Sequence, residues 1–316
     1  MKPDCSVYTK DKYQGKNLDF SLVDFIIEFK KGPDPFVDPE SEPNLPENLN
    51  PEPESSEERN PLECPTSLPQ VNLGQITAYA SSILSAQYRT HTFMVFIVKD
   101  YARLLRWDRG GAVVTEPIRF DEEPHLFDFL VRYNVADSEV RGHDSTVKLP
   151  NDDEIKLAKA AVPELAEVKT FLAVDISDRS YIICSPESRP RIPVGRWTRT
   201  SFAYDIKEKR RVFLKDSWRV LEDDVQPEGE IYAQLKKGQV PNIPRCLVAC
   251  DVGDDTYHRS QTDEVIKCMT PSPKSTLKIT PYRHYRIVLG TIGKTLEKFN
   301  STKEFVRAMY AALEGE

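Results

Sequence analysis

Residues 33–69, PDPFVDPESEPNLPENLNPEPESSEERNPLECPTSLP, set the first limit on how this chain can fold. They are dominated by Pro, Glu, Asn and Ser and hold almost no large apolar side chains. Such a stretch buries too little surface to offset the entropy of ordering it, so it is expected as a mobile insertion. Any core must then be assembled from the segments on either side. At 316 residues the chain suffices for two domains, each with a core of its own.

Composition narrows the class. With 39% hydrophobic and 29% charged residues and no long apolar run, the chain reads as a soluble protein without a membrane span. Its first residues, MKPDCSVYTKDKYQ, lack the apolar stretch of a signal peptide, so an intracellular protein, cytoplasmic or nuclear, is expected. The net charge of −7 argues against broad nonspecific nucleic-acid binding, although much of the acid lies in 33–69. Six scattered cysteines do not form a disulfide framework. Cys246, Cys250 and His258 make a poor zinc signal without a second cysteine pair, and reduced cysteines acting as small hydrophobes explain them better.

Hydrophobic periodicity places the elements. VDFIIEFK (23–30) alternates as a strand, with Val23, Phe25, Ile27 and Phe29 on one face and Asp24, Ile26, Glu28 and Lys30 on the other. A helix is predicted over about 73–89, strands over 91–100 and 101–108, a hairpin turn at Asp108–Gly111, and a second helix near 122–134. Helical signal over 152–169 precedes strands at 170–184, from Arg191, at 211–218, 245–253 and 284–292, with a short helix in PEGEIYAQLKKG. The last helix carries a capping box at Ser301 and Glu304. The expected division is an α+β upstream domain (1–150), a connecting helix and strand (151–190) and a third segment (191–316).

Two constellations carry chemistry. In VFLKDSW, Lys215 sits on an apolar strand, and Glu230 opens a helix fifteen residues later. A strand lysine that holds phosphates and a helical glutamate that orients it are what phosphoryl transfer from ATP requires. A surface lysine and a first-turn glutamate favoured by the helix dipole would look the same. The long segments VGRWTRTSFAYDIKEKRRVFLKDSWRV, EGEIYAQL, NIPRCLVACDVGDDTYH, HYRIVLGTIGKTLEKF and TKEFVRAMYAAL resemble the small lobe and hinge of the fungal-type protein kinases. QYRTHTFMV, ARLLRWDRGGAVVTEPI and RGHDSTV resemble the family's upstream region.

The resemblance implies a twisted antiparallel sheet with one helix, ATP and Mg2+ as cofactors, and a protein Ser/Thr substrate. It puts Lys215 and Glu230 in the ion-pair roles. Gly195, Arg196 and Thr198 fall in the phosphate-covering loop, with Leu289 behind the adenine and Gly290 in the hinge. The loop departs from the family's pattern, having one glycine and a bulky Trp197. Neither a His-Arg-Asp catalytic loop nor an Asp-Phe-Gly motif follows the hinge, and Asp251-Val252-Gly253 and His143-Asp144 stand in the wrong order to serve. A protein inactive on its own is therefore expected.

The second constellation is upstream. Asp4, then Glu28 and Lys30, then Gln75 and Tyr79 resemble the PD-(D/E)xK nuclease pattern with its trailing QxxxY helix motif. Period-2 alternation puts Glu28 and Lys30 on one strand face, and Gln75 and Tyr79 lie one turn apart on a helix. Asp4 and Glu28 could hold a divalent metal while Lys30 steadies a water or phosphate. A nuclease-like mixed α/β domain is thus the alternative to the kinase reading. It alone would make nucleic acid a partner, and a noncatalytic interaction protein is the third class. No membrane partner is expected.

Overall fold

The structure, a computed structural model, describes residues 2–9, 15, 17–32, 34–36, 67–184, 192–268 and 279–314. The insertion expected at 33–69 lies largely outside the described residues. The chain forms two compact units, one of residues 1–143, 191–194 and 261–280, the other of residues 144–190, 195–260 and 281–316.

In the first unit, β1 (Cys5–Tyr8), β2 (Val23–Lys30), β3 (Thr92–Val98), β4 (Tyr101–Trp107) and β5 (Ala112–Val114) form a sheet in that order, and β6 (Ile118–Arg119) also pairs with β4. Among the described strands of this unit only β2 and β3 run parallel, and α1 (Ser67–Ala86) lies in the crossover that such a pair requires. Helix α2 (His125–Val135) closes one sheet face, where Leu126, Phe129, Leu130 and Tyr133 pack on Phe25, Ile27, Phe93 and Val95. The opposite edge of each β2 pleat carries Glu28 and Lys30 to α1. The expected hairpin turn joins β4 to β5. The Asp108 N–H donates to Gly111 O at 2.9 Å, and the Asp108 carboxylate accepts from Gly110 and from the start of a short helix, Thr262–Cys268.

The second unit is built on an antiparallel sheet of β7 (Val147–Lys148), β8 (Phe171–Ile176), β9 (Arg179–Cys184), β10 (Arg199–Asp205), β11 (Arg210–Val220), β12 (Cys246–Asp251) and β13 (Tyr282–Leu289). Their spatial order is β12-β13-β11-β10-β9-β8-β7. Helix α3 (Asp152–Ala161), capped by Asn151 and Glu154, packs Ala158 and Ile155 on Phe171, Ile182 and Tyr204. Helix α4 (Glu228–Lys237) lies against β12.

Register decides what each face presents. Thr200, Lys215 and Ile287 stand opposite one another and share a face; so do Arg199, Asp216 and Arg286 on the other face, with Trp218 opposite His284. Lys215 and Asp216, neighbours in sequence, thus belong to two different surfaces. The α+β class and the antiparallel sheet with an adjacent helix agree with the sequence expectation. The last helix, Thr302–Glu314, has its N–H of Glu304 bonded to Ser301 Oγ at 3.2 Å and leaves Val306, Tyr310 and Leu313 exposed. No helix among the described residues is long and apolar enough to cross a membrane.

Candidate functional site

Lys215 is half-buried, and its Nζ lies 2.5 Å from Glu228 Oε2. The glutamate expected for this role, Glu230, is exposed instead. Helix phase explains the difference. Glu228, Tyr232 and Leu235, spaced i, i+4 and i+7, are the half-buried face, whereas a residue two positions on points about 200° away. That spacing was present in the sequence and could have selected Glu228. The start of α4 comes unusually close to the sheet because Gly229 has no side chain: a Cβ there would lie 2.4 Å from Ala249 Cβ and 2.5 Å from the Tyr285 hydroxyl.

The residues assigned to the phosphate-covering loop lie in the segment between β9 and β10, of which 185–191 are outside the described residues. Gly195 has φ of +93° and open space where a side chain would be, so glycine is required by backbone conformation. Arg196 is exposed, Thr198 half-buried and Trp197 buried, and the Arg196 carbonyl accepts from the Trp218 N–H at 2.7 Å. Because Thr200 stands opposite Lys215, these residues begin just past the lysine's end of β10. Leu289 pairs with Phe213 and Cys246, two positions from Ile287 on the lysine face, and the Gly290 N–H donates to Arg245 O at 2.8 Å. Beside α4, a groove of about 800 Å³ runs along β12, lined by Tyr232, Ala233, Ile243, Leu247, Val248 and Tyr285. Lys215, Gly195 and Leu289 do not line it.

The opposite face of the same sheet holds a buried ionic network that sequence reading missed. Arg286 donates through Nε to Asp216 at 2.7 Å and through Nη2 to Asp144 at 2.7 Å. His284 Nε2 sits 3.0 Å from both Asp216 oxygens, Trp218 stacks on the His284 ring, and His258 Nδ1 faces His284 Nδ1 at 3.0 Å. Burial opposes charge on Asp216, but His284 and Arg286 outweigh it and hold the carboxyl well below its usual range. Asp144, His258 and His284 are metal-ligand types whose donor atoms lie within 4.8 Å of one another. Between the two Nδ1 atoms the geometry suits a proton better than an ion. The two ring centres are 5.3 Å apart, only 2.3 Å more than the two nitrogens, so the Nδ1 atoms lie on the line joining the rings. A metal needs about 2.0 Å to each nitrogen and does not fit on that line.

In the first unit, four of the five nuclease-pattern residues join through side chains. Lys30 Nζ lies 2.6 Å from Glu28 Oε1 and 2.9 Å from Gln75 Oε1. Gln75 Nε2 donates to Glu28 Oε1 at 2.7 Å and to Tyr79 Oη at 2.7 Å. Asp4 reaches the cluster through its backbone N–H, which donates to Glu28 Oε2 at 3.1 Å, while its side-chain Oδ2 accepts from the Phe29 N–H at 3.0 Å. Glu28 is buried, Lys30 half-buried and Asp4 exposed.

The remaining sequence features have structural duties. Asp251 is bidentate to Arg219 at 2.7 and 2.8 Å. His143 Nε2 lies 3.2 Å from Asp24 Oδ1. Burial opposes the Asp24 charge, but the bond from His143 and the Arg89 charge hold its carboxyl below the usual range. Cys246 and Cys250 are half-buried free thiols on β12.

A family model described as fungal protein kinase matches residues 64–316, most of the chain. No curated protein and no solved structure matches it.

Proposed function

Because the chain belongs to the fungal protein kinase family, we propose that its second unit binds ATP on the sheet face that carries Lys215. The observation that supports this is the 2.5 Å ion pair of Lys215 with Glu228. A carboxylate that fixes an ammonium on a strand leaves the ammonium's other protons directed at a second anion, the arrangement needed to hold α and β phosphates. Gly195, Arg196 and Thr198 would cover the phosphates, and Leu289 and Gly290 would flank the base. Magnesium would bring charge neutralisation between the phosphates. Transfer to a protein hydroxyl also needs carboxylates to place the metal and the acceptor. Asp251 is bonded to Arg219 and Asp144 to Arg286, and the proposed function is nucleotide binding.

A ligand that binds only the folded state raises the unfolding midpoint. Mg-ATP is therefore expected to raise the midpoint of the wild-type chain and not that of Lys215→Met. Equal shifts in both would place the nucleotide elsewhere.

A second reading belongs to the first unit. The convergence of Glu28, Lys30, Gln75 and Tyr79 with Asp4 beside them supports a divalent-metal site acting on phosphodiesters, with Asp4 and Glu28 as oxygen ligands and Lys30 against the scissile phosphate. Magnesium-dependent cleavage of DNA or RNA, abolished in Glu28→Gln, would support it. Cleavage unchanged in that variant would remove it.

A further inference from the structure

We propose that Tyr285 and Gly229 form a seat that positions Glu228 against Lys215. The inference rests on the nucleotide-binding reading for its purpose, and on contacts within the second unit for its substance.

Glu228 is the first residue of α4, preceded by Pro227, whose side chain makes no capping hydrogen bond. A helix start of this kind has free N–H groups and no local device to fix where its first residue stands. The Tyr285 hydroxyl supplies one. It accepts from the Gly229 N–H at 3.0 Å, taking up one of the orphan donors from the sheet side. Tyr285 is itself fixed: it lies on β13 opposite Ser217 of β11, and its ring, largely buried, is met by the Arg219 guanidinium, which Asp251 holds.

The second observation is independent of that hydrogen bond. The space a Cβ at residue 229 would need is taken by Ala249 of β12 and by the Tyr285 hydroxyl, at 2.4 and 2.5 Å. Glycine allows α4 to begin in contact with two strands, and any side chain would push the helix start outward. Glu228 lies 2.5 Å from Lys215, and a displacement of about an ångström or more would stretch that contact beyond good hydrogen-bonding distance. Ser217 and Lys215 lie on one face of β11, so the strand that bears the lysine and the strand that bears the seat are registered against each other. Tyr285 and Gly229 are thus positioning residues: they touch neither the lysine's phosphate-facing side nor a reacting atom, and act by placing Glu228.

The test reads the ion pair without nucleotide. Acetylation of Lys215 by a water-soluble succinimidyl ester, followed by peptide mass spectrometry with other surface lysines as internal reference, measures how well the carboxylate shields the amine. Glu228→Gln sets the rate for an unpaired lysine. Tyr285→Phe keeps the ring and removes only the hydroxyl, and is expected to raise Lys215 labelling to the Glu228→Gln rate while the unfolding midpoint stays near wild type. Gly229→Ala is expected to do the same, and Gly229→Ser gives no rescue because the obstruction is the Cβ.

Wild-type labelling in Tyr285→Phe, with the rate raised in Glu228→Gln, overturns the seat. No change in Glu228→Gln overturns the pair itself and the seat with it. Labelling as expected without any Mg-ATP shift in the wild-type chain leaves the seat standing and rejects the nucleotide reading.

Discussion

His258 and His284 meet Nδ1 to Nδ1 at 3.0 Å in the interior of the second unit, with Asp216 beyond His284 and Asp144 beside both rings. Only one proton fits between the two nitrogens. The Nε2–H of His284 faces the Asp216 carboxylate, so the row of groups from Asp216 to His258 is satisfied with His258 neutral.

Stability should therefore fall before the carboxylates titrate. Burial, and next the charge of His284, push the His258 pKa down to about 4, with Asp144 opposing and Arg286 and Arg283 adding to the depression. An unfolded histidine titrates near 6.5, so between about 4 and 6.5 the unfolded chain binds more protons than the folded one. Stability is then full above that window and lost as pH falls through it, by about 3 kcal/mol in order of magnitude. Asp144 and Asp216, both held low, contribute a further loss only below pH of about 4. Urea unfolding at pH 7.5 and 4.5 should show the decrease in wild type and a flatter profile in His258→Gln. Equal slopes would mean that His258 does not titrate on unfolding.

Arg286 bridges two carboxylates whose side chains are 2% and 5% exposed. Arg286→Met keeps the aliphatic stem and removes the cation shared by both carboxylates, leaving Asp216 with His284 and Asp144 with Thr146, a change expected to cost about 3–5 kcal/mol. Asp216→Asn added to that variant should recover part of the loss, since one of the charges that lost the shared cation is gone. Denaturant midpoints of the four proteins give the coupling directly. Strict additivity would show that Arg286 and Asp216 do not interact.

Legibility in the sequence followed the range of the signal. Alternation along VDFIIEFK put Glu28 and Lys30 on one face, and i, i+4 spacing put Gln75 above Tyr79; the structure brings those four together. Pro227 marks where α4 starts and two glutamates in its first turn offer the same chemistry; Glu230 was the expected partner, whereas the i, i+4, i+7 phase with Tyr232 and Leu235 singles out Glu228. The Asp144–Arg286 bond joins residues 142 positions apart, and no periodicity reports such a pair. The His-Asp of RGHDST looked like a fragment of a catalytic loop, and it takes a fold to show His143 bonded to Asp24 and Asp144 to Arg286.

Gly253 gives a more local test of the histidine pair. Its φ is +54°, and a Cβ there would stand 2.3 Å from His258 Cδ2. Gly253→Ala should cost about 1–2 kcal/mol for the left-handed backbone and more for the clash. In a His258→Ala background the clash disappears and only the backbone cost remains. A double-mutant cycle by chemical denaturation checks this; an alanine penalty of the same size in both backgrounds would mean that the ring and the glycine are not in contact.

The first unit's cluster makes its own prediction, because Glu28 already has a cation. Lys30 Nζ at 2.6 Å neutralises the Glu28 oxygen that also accepts from Gln75, so a divalent ion arriving at that carboxylate must compete with an ammonium. Removing the ammonium favours the ion, and removing the carboxylate disfavours it. Mn2+ titrated into the full chain and followed by electron paramagnetic resonance should bind tightest to Lys30→Gln, less tightly to wild type and least to Glu28→Gln. Nuclease activity, if the second reading holds, should follow a different order and fall in both variants, since a lysine poised for the phosphate is lost in one and the metal ligand in the other. Tighter Mn2+ binding with lost cleavage in Lys30→Gln separates the two roles of that lysine. Equal Mn2+ affinity in all three proteins would mean that Glu28 serves the fold through its hydrogen bonds to Gln75 and Asp4 and holds no metal.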